Sequence, residues 1–254
     1  MTGRRSGDAL LILPTLNEAA NLPRLVARIR ELAVPVDILV VDDASTDGTA
    51  RQADELASRD AGLRVLHRGG RRGYGAALVE GFALALEQDV SAVLTMDCDF
   101  SHDPADLPRL LAALAGADVV VGSRYTDGGR VADWPWHRRA LSAAANAFVR
   151  LLFDLPARDC TSGFRVYRRE ALAGVPWERL NSTGYSFLVE LLYWTTRAGR
   201  RVREVPICFV DRKHGTSKMG RRQIFVGAAD LLKLRAQMLA GGASAAAGRH
   251  LPDP

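Results

Sequence analysis

Residues 36–49 read VDILVVDDASTDGT. A run dominated by Ile, Leu and Val ends abruptly in two aspartates and a string of turn formers. A short apolar run of this kind fits a parallel strand buried on both faces. The polar run behind it is turn and helix-cap chemistry, and Thr49–Ser58 then suits a helix. The same unit recurs on either side. Upstream, Ala9–Leu13 is a strand-like run closed by PTLNE (Pro14 to Glu18), and Asn17–Leu32 carries Leu22, Leu25, Val26, Ile29 and Leu32 at helical spacing. Downstream, Leu63–Leu66, Ala92–Met96 and Val119–Gly122 read as strands, interleaved with helices over Gly73–Leu86 and Pro104–Ala115. This alternation predicts an α/β fold: a mostly parallel, Rossmann-like central sheet flanked by helices.

In such sheets ligands bind beyond the carboxyl ends of the strands. The polar clusters Pro14–Glu18, Asp42–Asp47, Asp97–Asp103 and Gly122–Arg124 all fall there. Their convergence on one rim marks the candidate site.

The second half is less regular. Trp136–Asp154 is a long amphipathic stretch, Gly184–Ala198 a helix, Val202–Phe209 a strand and Gln223–Leu239 a final helix. One domain is expected over 9–239, with a flexible N-terminus at 1–8 and a disordered Ala/Gly/Ser-rich tail at 240–254.

Composition narrows the function. The chain has 254 residues, 48% hydrophobic and 25% charged, as in an ordinary globular protein. Its net charge of +5 and pI near 9.4 favour acidic partners such as phosphorylated substrates or anionic lipid. Nucleic acid is disfavoured, because acids at the rim repel a phosphate backbone. Cys98, Cys160 and Cys208 are odd in number and lack metal-ligand spacing, which argues for a reducing compartment. No run reaches the roughly 18 apolar residues of a membrane span, and Leu10–Leu13 is too short for a signal-peptide core. A cytoplasmic or peripheral protein is expected.

Asp97-Cys98-Asp99 follows the apolar run AVLTM. On a strand end, residues i and i+2 point the same way, so two carboxylates can hold a hard cation, Mg²⁺ or Mn²⁺, bridging to a diphosphate. The alternative is a loop triplet that caps Ser101 and the helix behind it. Asp42 and Asp43 suit hydrogen bonds to a ribose or base, or an Asx turn. Arg124, Arg138, Arg139, Arg212 and Lys218 supply phosphate-binding cations, with Arg124 set apart by its place after a buried strand. Gly69–Gly75 is a flexible basic loop before a helix, near the nucleotide.

Together PTLNE, VVDDASTDGT, MDCDFSHDP, VVVGSRY, DWPWHRRALSAAAN, RDCTSGFRVYRREAL, GYSFLVELLY and VPICFVDRKHGTSKM resemble the polyprenol/dolichol monophosphate mannose synthases of glycosyltransferase family 2, which have a GT-A fold. The resemblance covers about residues 9–235. It implies that Pro14, Leu16, Glu18, Asp42 and Asp43 line the nucleotide pocket with Asp97, Cys98 and Asp99. It implies that Asp97 and Asp99 bind the metal and donor diphosphate. Ser101 stands where relatives often carry a Gln that joins the metal, and Leu16 where they often carry Tyr. It further implies that Arg124, Arg138 and Ser142 bind the acceptor phosphate, and that Arg212 and Lys218 belong to a basic loop closing on the phosphates.

The implied reaction is inverting transfer of mannose from GDP-mannose to a polyprenyl monophosphate, on the cytoplasmic face of the membrane. A separate integral membrane protein is compatible with that attachment. Trp134–Leu152 and the last helix are the candidate interfacial segments. Two neighbouring readings stay open from sequence: a polyprenyl-phosphate glucosyltransferase using UDP-glucose, and a glycan-elongating enzyme of the same fold. A nucleotidyltransferase is disfavoured, because PTLNE occupies the place of its Gly-rich basic signature.

Overall fold

The computed structural model describes residues 8–69, 73–180, 182, 184, 186–211, 231, 232 and 234–236. The strand-like runs of the first half become β1 (Ala9–Thr15), β2 (Val36–Asp42), β3 (Leu63–His67), β4 (Ala92–Thr95) and β5 (Val119–Ser123). With β7 (Arg165–Arg168) and β8 (Val202–Pro206) they form one sheet in the order β3-β2-β1-β4-β7-β5-β8. β7 runs antiparallel to both β4 and β5, and the other ladders are parallel. The carboxyl ends of β1, β2, β4 and β5 therefore share one rim, as expected.

β7 was not apparent from the sequence. Its four residues, RVYR, begin and end in arginine, which hides a strand at the centre of the sheet. Arg165 is nonetheless fully buried. Its guanidinium donates to the carbonyls of Ser162 (2.7 Å), Leu188 (2.7 Å) and Cys160 (2.6 Å), and those bonds offset its desolvation. The expected strand over Val202–Phe209 splits at Ile207, whose N–H donates to the carbonyl of Ser123. Cys208–Phe209 (β9) then leaves the main sheet and pairs with β6 (Arg130–Val131).

Side-chain alternation along β1 feeds two cores. Leu11 and Leu13 pack with α1 (Leu22–Glu31), α2 (Thr49–Arg59) and α4 (Leu107–Ala113). Leu10 and Ile12 pack with α3 (Tyr74–Leu86), α6 (Arg169–Ala173) and α7 (Ser186–Arg197). Gly81 of α3 lies against Ile12, where a Cβ would clash, so this helix can approach the sheet closely. A third cluster joins Val149 and Phe153 of α5 (Trp136–Phe153) to Leu192 of α7 and to Leu231 and Leu234.

The expected flexible N-terminus, apart from Asp8, and the expected tail lie outside the described residues. Most of the expected final helix does too. Its described part packs Leu231 and Leu234 into the core and exposes Leu232. Among the described residues no helix is long and apolar enough to cross a membrane.

Candidate active site

The loops after β1 and β2 are tied together by carboxylates. Asp42 accepts from the Ser45 N–H (3.1 Å) and hydroxyl (2.5 Å). Asp43 is paired with the buried guanidinium of Arg68 and accepts from the Gly73 N–H at 2.8 Å. Asp47 accepts from the Ala19 N–H (3.0 Å) and from the N–H and hydroxyl of Thr49. Burial pushes the Asp47 carboxyl up, but the Thr49 and Ala19 hydrogen bonds outweigh it and hold it below its ordinary value. Glu18 accepts at its side chain from Asn21 (2.7 Å) and donates its N–H to Thr49 (2.9 Å). Pro14, Leu16 and Glu18 are half-buried beside the buried Asp42 and Asp43.

Backbone strain gathers on the same rim. Asn17, Ala44 and Phe100 have φ of 59°, 57° and 60° in the loops after β1, β2 and β4. Left-handed non-glycine residues persist where surrounding contacts over-determine them, and they cluster at functional sites.

The acids expected on the end of β4 lie beyond it. The ladder stops at Thr95, and Asp97 and Asp99 sit in the loop that turns at Phe100. Asp97 Oδ1 accepts from the Tyr74 hydroxyl at 3.0 Å. Gly163 lies under that bond, and a Cβ there would collide with the Tyr74 oxygen. Asp99 is buried and accepts from the Ser101 N–H at 3.0 Å, so the capping role weighed from sequence is present. The Ser101 hydroxyl is buried with no hydrogen-bond partner among the described residues. Cys98 is buried, and burial together with the charges of Glu18, Asp99 and Asp97 pushes its thiol well above its ordinary value. A buried thiol of this kind is a poor nucleophile. His102 is buried, and burial holds its imidazole below its usual value against the pull of Asp97 and Asp99. Its Nδ1 accepts from the Asp97 N–H at 3.3 Å. Among the described residues no three His, Cys, Asp or Glu side chains form a metal-binding group.

Arg124 is caged. Its Nε donates to Asp159 Oδ2 (2.7 Å), and its Nη2 to Asp159 Oδ1 (2.7 Å) and Thr161 Oγ1 (2.8 Å). The rings of Tyr125 and Phe209 each lie 5.3 Å from the guanidinium carbon. Nη1 has no hydrogen-bond partner among the described residues. Burial raises the Asp159 carboxyl, but the charge and hydrogen bonds of Arg124 prevail and lower it. Phe209 also meets His102 (5.6 Å) and Trp134 (5.6 Å), and the Arg138 guanidinium lies 3.9 Å from the Trp134 ring. One aromatic cluster thus gathers the Asp97–Asp99 loop, Arg124 and Arg138. Arg138 also pairs with Asp211 at 2.7 Å.

Ser142, expected at the acceptor phosphate, accepts at Oγ from the Tyr125 hydroxyl at 2.7 Å. It lies on the inner face of α5. The outer face exposes Trp136 (78%), Leu141 (51%), Phe148 (43%) and Leu151 (82%). Arg212 and Lys218 lie outside the described residues.

Arg68, Tyr125, Asn146, Asp159 and Phe209 escaped sequence reasoning. Tyr125, Asn146, Asp159 and Phe209 do stand within the motifs quoted above, VVVGSRY, DWPWHRRALSAAAN, RDCTSGFRVYRREAL and VPICFVDRKHGTSKM.

Residues 10–175 match the family model for glycosyl transferase family 2. The chain is 43% identical over 210 residues to an undecaprenyl-phosphate mannosyltransferase of Micrococcus luteus, covering 83% of this chain and 86% of that one. It is 44% identical over 225 residues to a polyprenol monophosphomannose synthase of Mycolicibacterium smegmatis, covering 88% and 85%. Among solved structures, a glucosyl-3-phosphoglycerate synthase of Mycobacterium tuberculosis, crystallised with Mn²⁺, UDP and phosphoglyceric acid, shares the fold. Its TM-score is 0.62 at 22% identity, covering 88% of this chain and 78% of that one. With a matching family model and two such relatives aligned along most of its length, the chain belongs to glycosyltransferase family 2, in the branch of the polyprenol monophosphomannose synthases.

Proposed function

We propose that this glycosyltransferase moves mannose from GDP-mannose to the phosphate of a polyprenyl monophosphate, at the cytoplasmic face of a membrane. The observation that carries the reading is the Arg124 cage. A guanidinium held by Asp159 and Thr161 through Nε and Nη2 and lying over two aromatic rings, with Nη1 left over, suits an anion. It lies in the same aromatic cluster as the Asp97–Asp99 loop, so an anionic acceptor and a donor diphosphate would meet there. The relatives named for polyprenyl-phosphate mannosylation give the acceptor and sugar class.

The acceptor needs little activation. A phosphate monoester has a second pKa near 6 and is largely dianionic at neutral pH. Its oxygen attacks the anomeric carbon, the bond from that carbon to the diphosphate breaks, and the electron pair leaves with GDP. In-line attack inverts the configuration. Among the residues around the site, Cys98 is held as a thiol and His102 is buried with its Nδ1 occupied, which suits a reaction without a general base. The protein's work is positioning and charge balance. Arg124 and Arg138 would hold the acceptor phosphate, and Arg212 and Lys218 the departing diphosphate.

The residues fit a hard divalent cation. Asp97 and Asp99 offer carboxylate oxygens, and the buried Ser101 hydroxyl is left without a partner beside them. Held there, Mg²⁺ or Mn²⁺ would neutralise the diphosphate.

The outer face of α5 would seat on the membrane. Its exposed Trp, Phe and Leu residues are flanked by Arg139 and Arg150, also exposed, the pattern of an interfacial helix. A separate integral membrane protein would add to this attachment.

The test offers GDP-[¹⁴C]mannose and Mg²⁺ with either polyprenyl monophosphate or free polyprenol. Label should enter lipid only with the monophosphate and stop on chelation. Equal labelling of free polyprenol, or labelling of neither, would overturn the reading.

A further inference from the structure

α5 faces two ways. Its outer face is exposed and apolar, while its inner face reaches the Arg124 cage by two separate arms. The first arm is Asn146, 2% exposed. Its Oδ1 accepts from the Cys160 N–H at 2.9 Å, and its Nδ2 donates to Thr161 Oγ1 at 3.2 Å and to the Ser142 carbonyl at 3.1 Å. A buried amide with a donor and an acceptor on opposite sides has one orientation. It therefore fixes the 159–161 segment, whose Asp159 and Thr161 hold two edges of the guanidinium. The second arm is Tyr125. Its hydroxyl donates to Ser142 on α5, and the same guanidinium lies over its ring, 5.3 Å from the centroid.

We propose that Asn146 and Tyr125 are positioning residues through which the inner face of α5 sets the orientation of Arg124, and hence affinity for the acceptor phosphate. Neither hydrogen-bonds to Nη1, where an anion would meet the cage, and the Arg124→Lys background below separates action through Arg124 from action through Ser142. The consequence for affinity rests on the acceptor reading above, whereas the orientation itself does not. Because the same helix carries the exposed apolar face, this linkage joins the lipid-facing surface to the phosphate-binding cation.

The test has two readouts on the full chain. The first is solvent exchange of the Arg124 Nε–H, followed by ¹⁵N NMR and assigned by its loss in Arg124→Lys. Exchange should quicken about tenfold in Asn146→Ala and about threefold in Tyr125→Phe, both within the roughly two- to twelvefold range of a single net hydrogen bond acting at one remove. The second is kinetic. KM for polyprenyl monophosphate should rise about tenfold and about threefold respectively, with GDP affinity within about twofold of the wild type. In an Arg124→Lys background, Tyr125→Phe should add less than about twofold. Tyr125→Phe removes a single hydroxyl from a half-buried ring, so it carries the test if Asn146→Ala fails to fold. Unchanged exchange in the folded variants, or additive effects in the Arg124→Lys background, would overturn the inference. Failure of the wild type to mannosylate the lipid phosphate would instead sink the acceptor reading, with the exchange result still deciding the orientation.

Discussion

The loops proposed to hold the donor and the cage proposed to hold the acceptor are built on different principles. On the donor side, Asp42, Asp47 and Asp99 hold neighbours in their own or the adjacent loop, while Asp43 and Asp97 reach Arg68 and Tyr74. Asp42 binds Ser45, Asp47 binds Thr49 and Ala19, and Asp99 binds Ser101. On the acceptor side, Arg124 is held by Asp159, 35 residues away, which is steadied in turn by segments from β8 and α5. A site made of local turns tolerates the loss of one contact. A cage of interlocking side chains does not, because each member depends on the next.

The largest expected effect is Arg124→Ala. Transfer should fall about a thousandfold, the scale of losing a pre-oriented donor to developing charge, while GDP affinity stays within about threefold. Transfer kinetics beside calorimetric nucleotide titration would check it, and equal loss of both would erase the division between the two regions. Asp99→Asn comes next. Asn keeps the acceptor for the Ser101 N–H but removes the charge, so metal-dependent transfer should drop about a hundredfold with little change in Tm. Loss of fold in this variant would show that the donor side is less local than described.

Leu151→Asp tests the outer face of α5. The side chain is 82% exposed, so stability should hardly change. Burying a Leu is worth about 2 kcal/mol, so binding to vesicles containing anionic lipid should weaken at least about tenfold in a sedimentation assay. Unchanged binding would detach α5 from the membrane. The smallest effect is expected at Asp47. Its hydrogen bonds hold the carboxyl below its unfolded value, so its contribution is present above an unfolded pKa of about 3.9 and is lost as pH falls through the lower folded value. Asp47→Ala should cost about 1 kcal/mol at pH 7, and the gap from wild type in thermal unfolding should narrow below about pH 4. A gap that widened on acidification would reverse the sign of this account.

The same contrast explains what could be read from the sequence. Asp42, Asp97, Asp99 and Arg124 stood out because each comes after an apolar run that becomes a strand, and a parallel sheet sends such residues to one rim. Local turn chemistry was visible for the same reason, since Asp42–Gly48 is its own signature. Strand alternation does not orient Asp97 and Asp99: β4 ends at Thr95, and the pair lies in a loop that turns at a left-handed Phe100. β7 was invisible because Arg165, a residue typical of surfaces, is buried among carbonyls contributed by two other segments. Asp159, Tyr125 and Asn146 had no local signal, because their roles exist only once residues 14 to 37 positions apart are brought together.

The central claim is mannosyl transfer from a guanine nucleotide to a lipid phosphate. The most direct measurement offers polyprenyl monophosphate with radiolabelled GDP-mannose or UDP-glucose in parallel, each with and without Mg²⁺, and counts label in the lipid extract. Metal-dependent labelling from GDP-mannose alone is the predicted result, and labelling from UDP-glucose alone would contradict it.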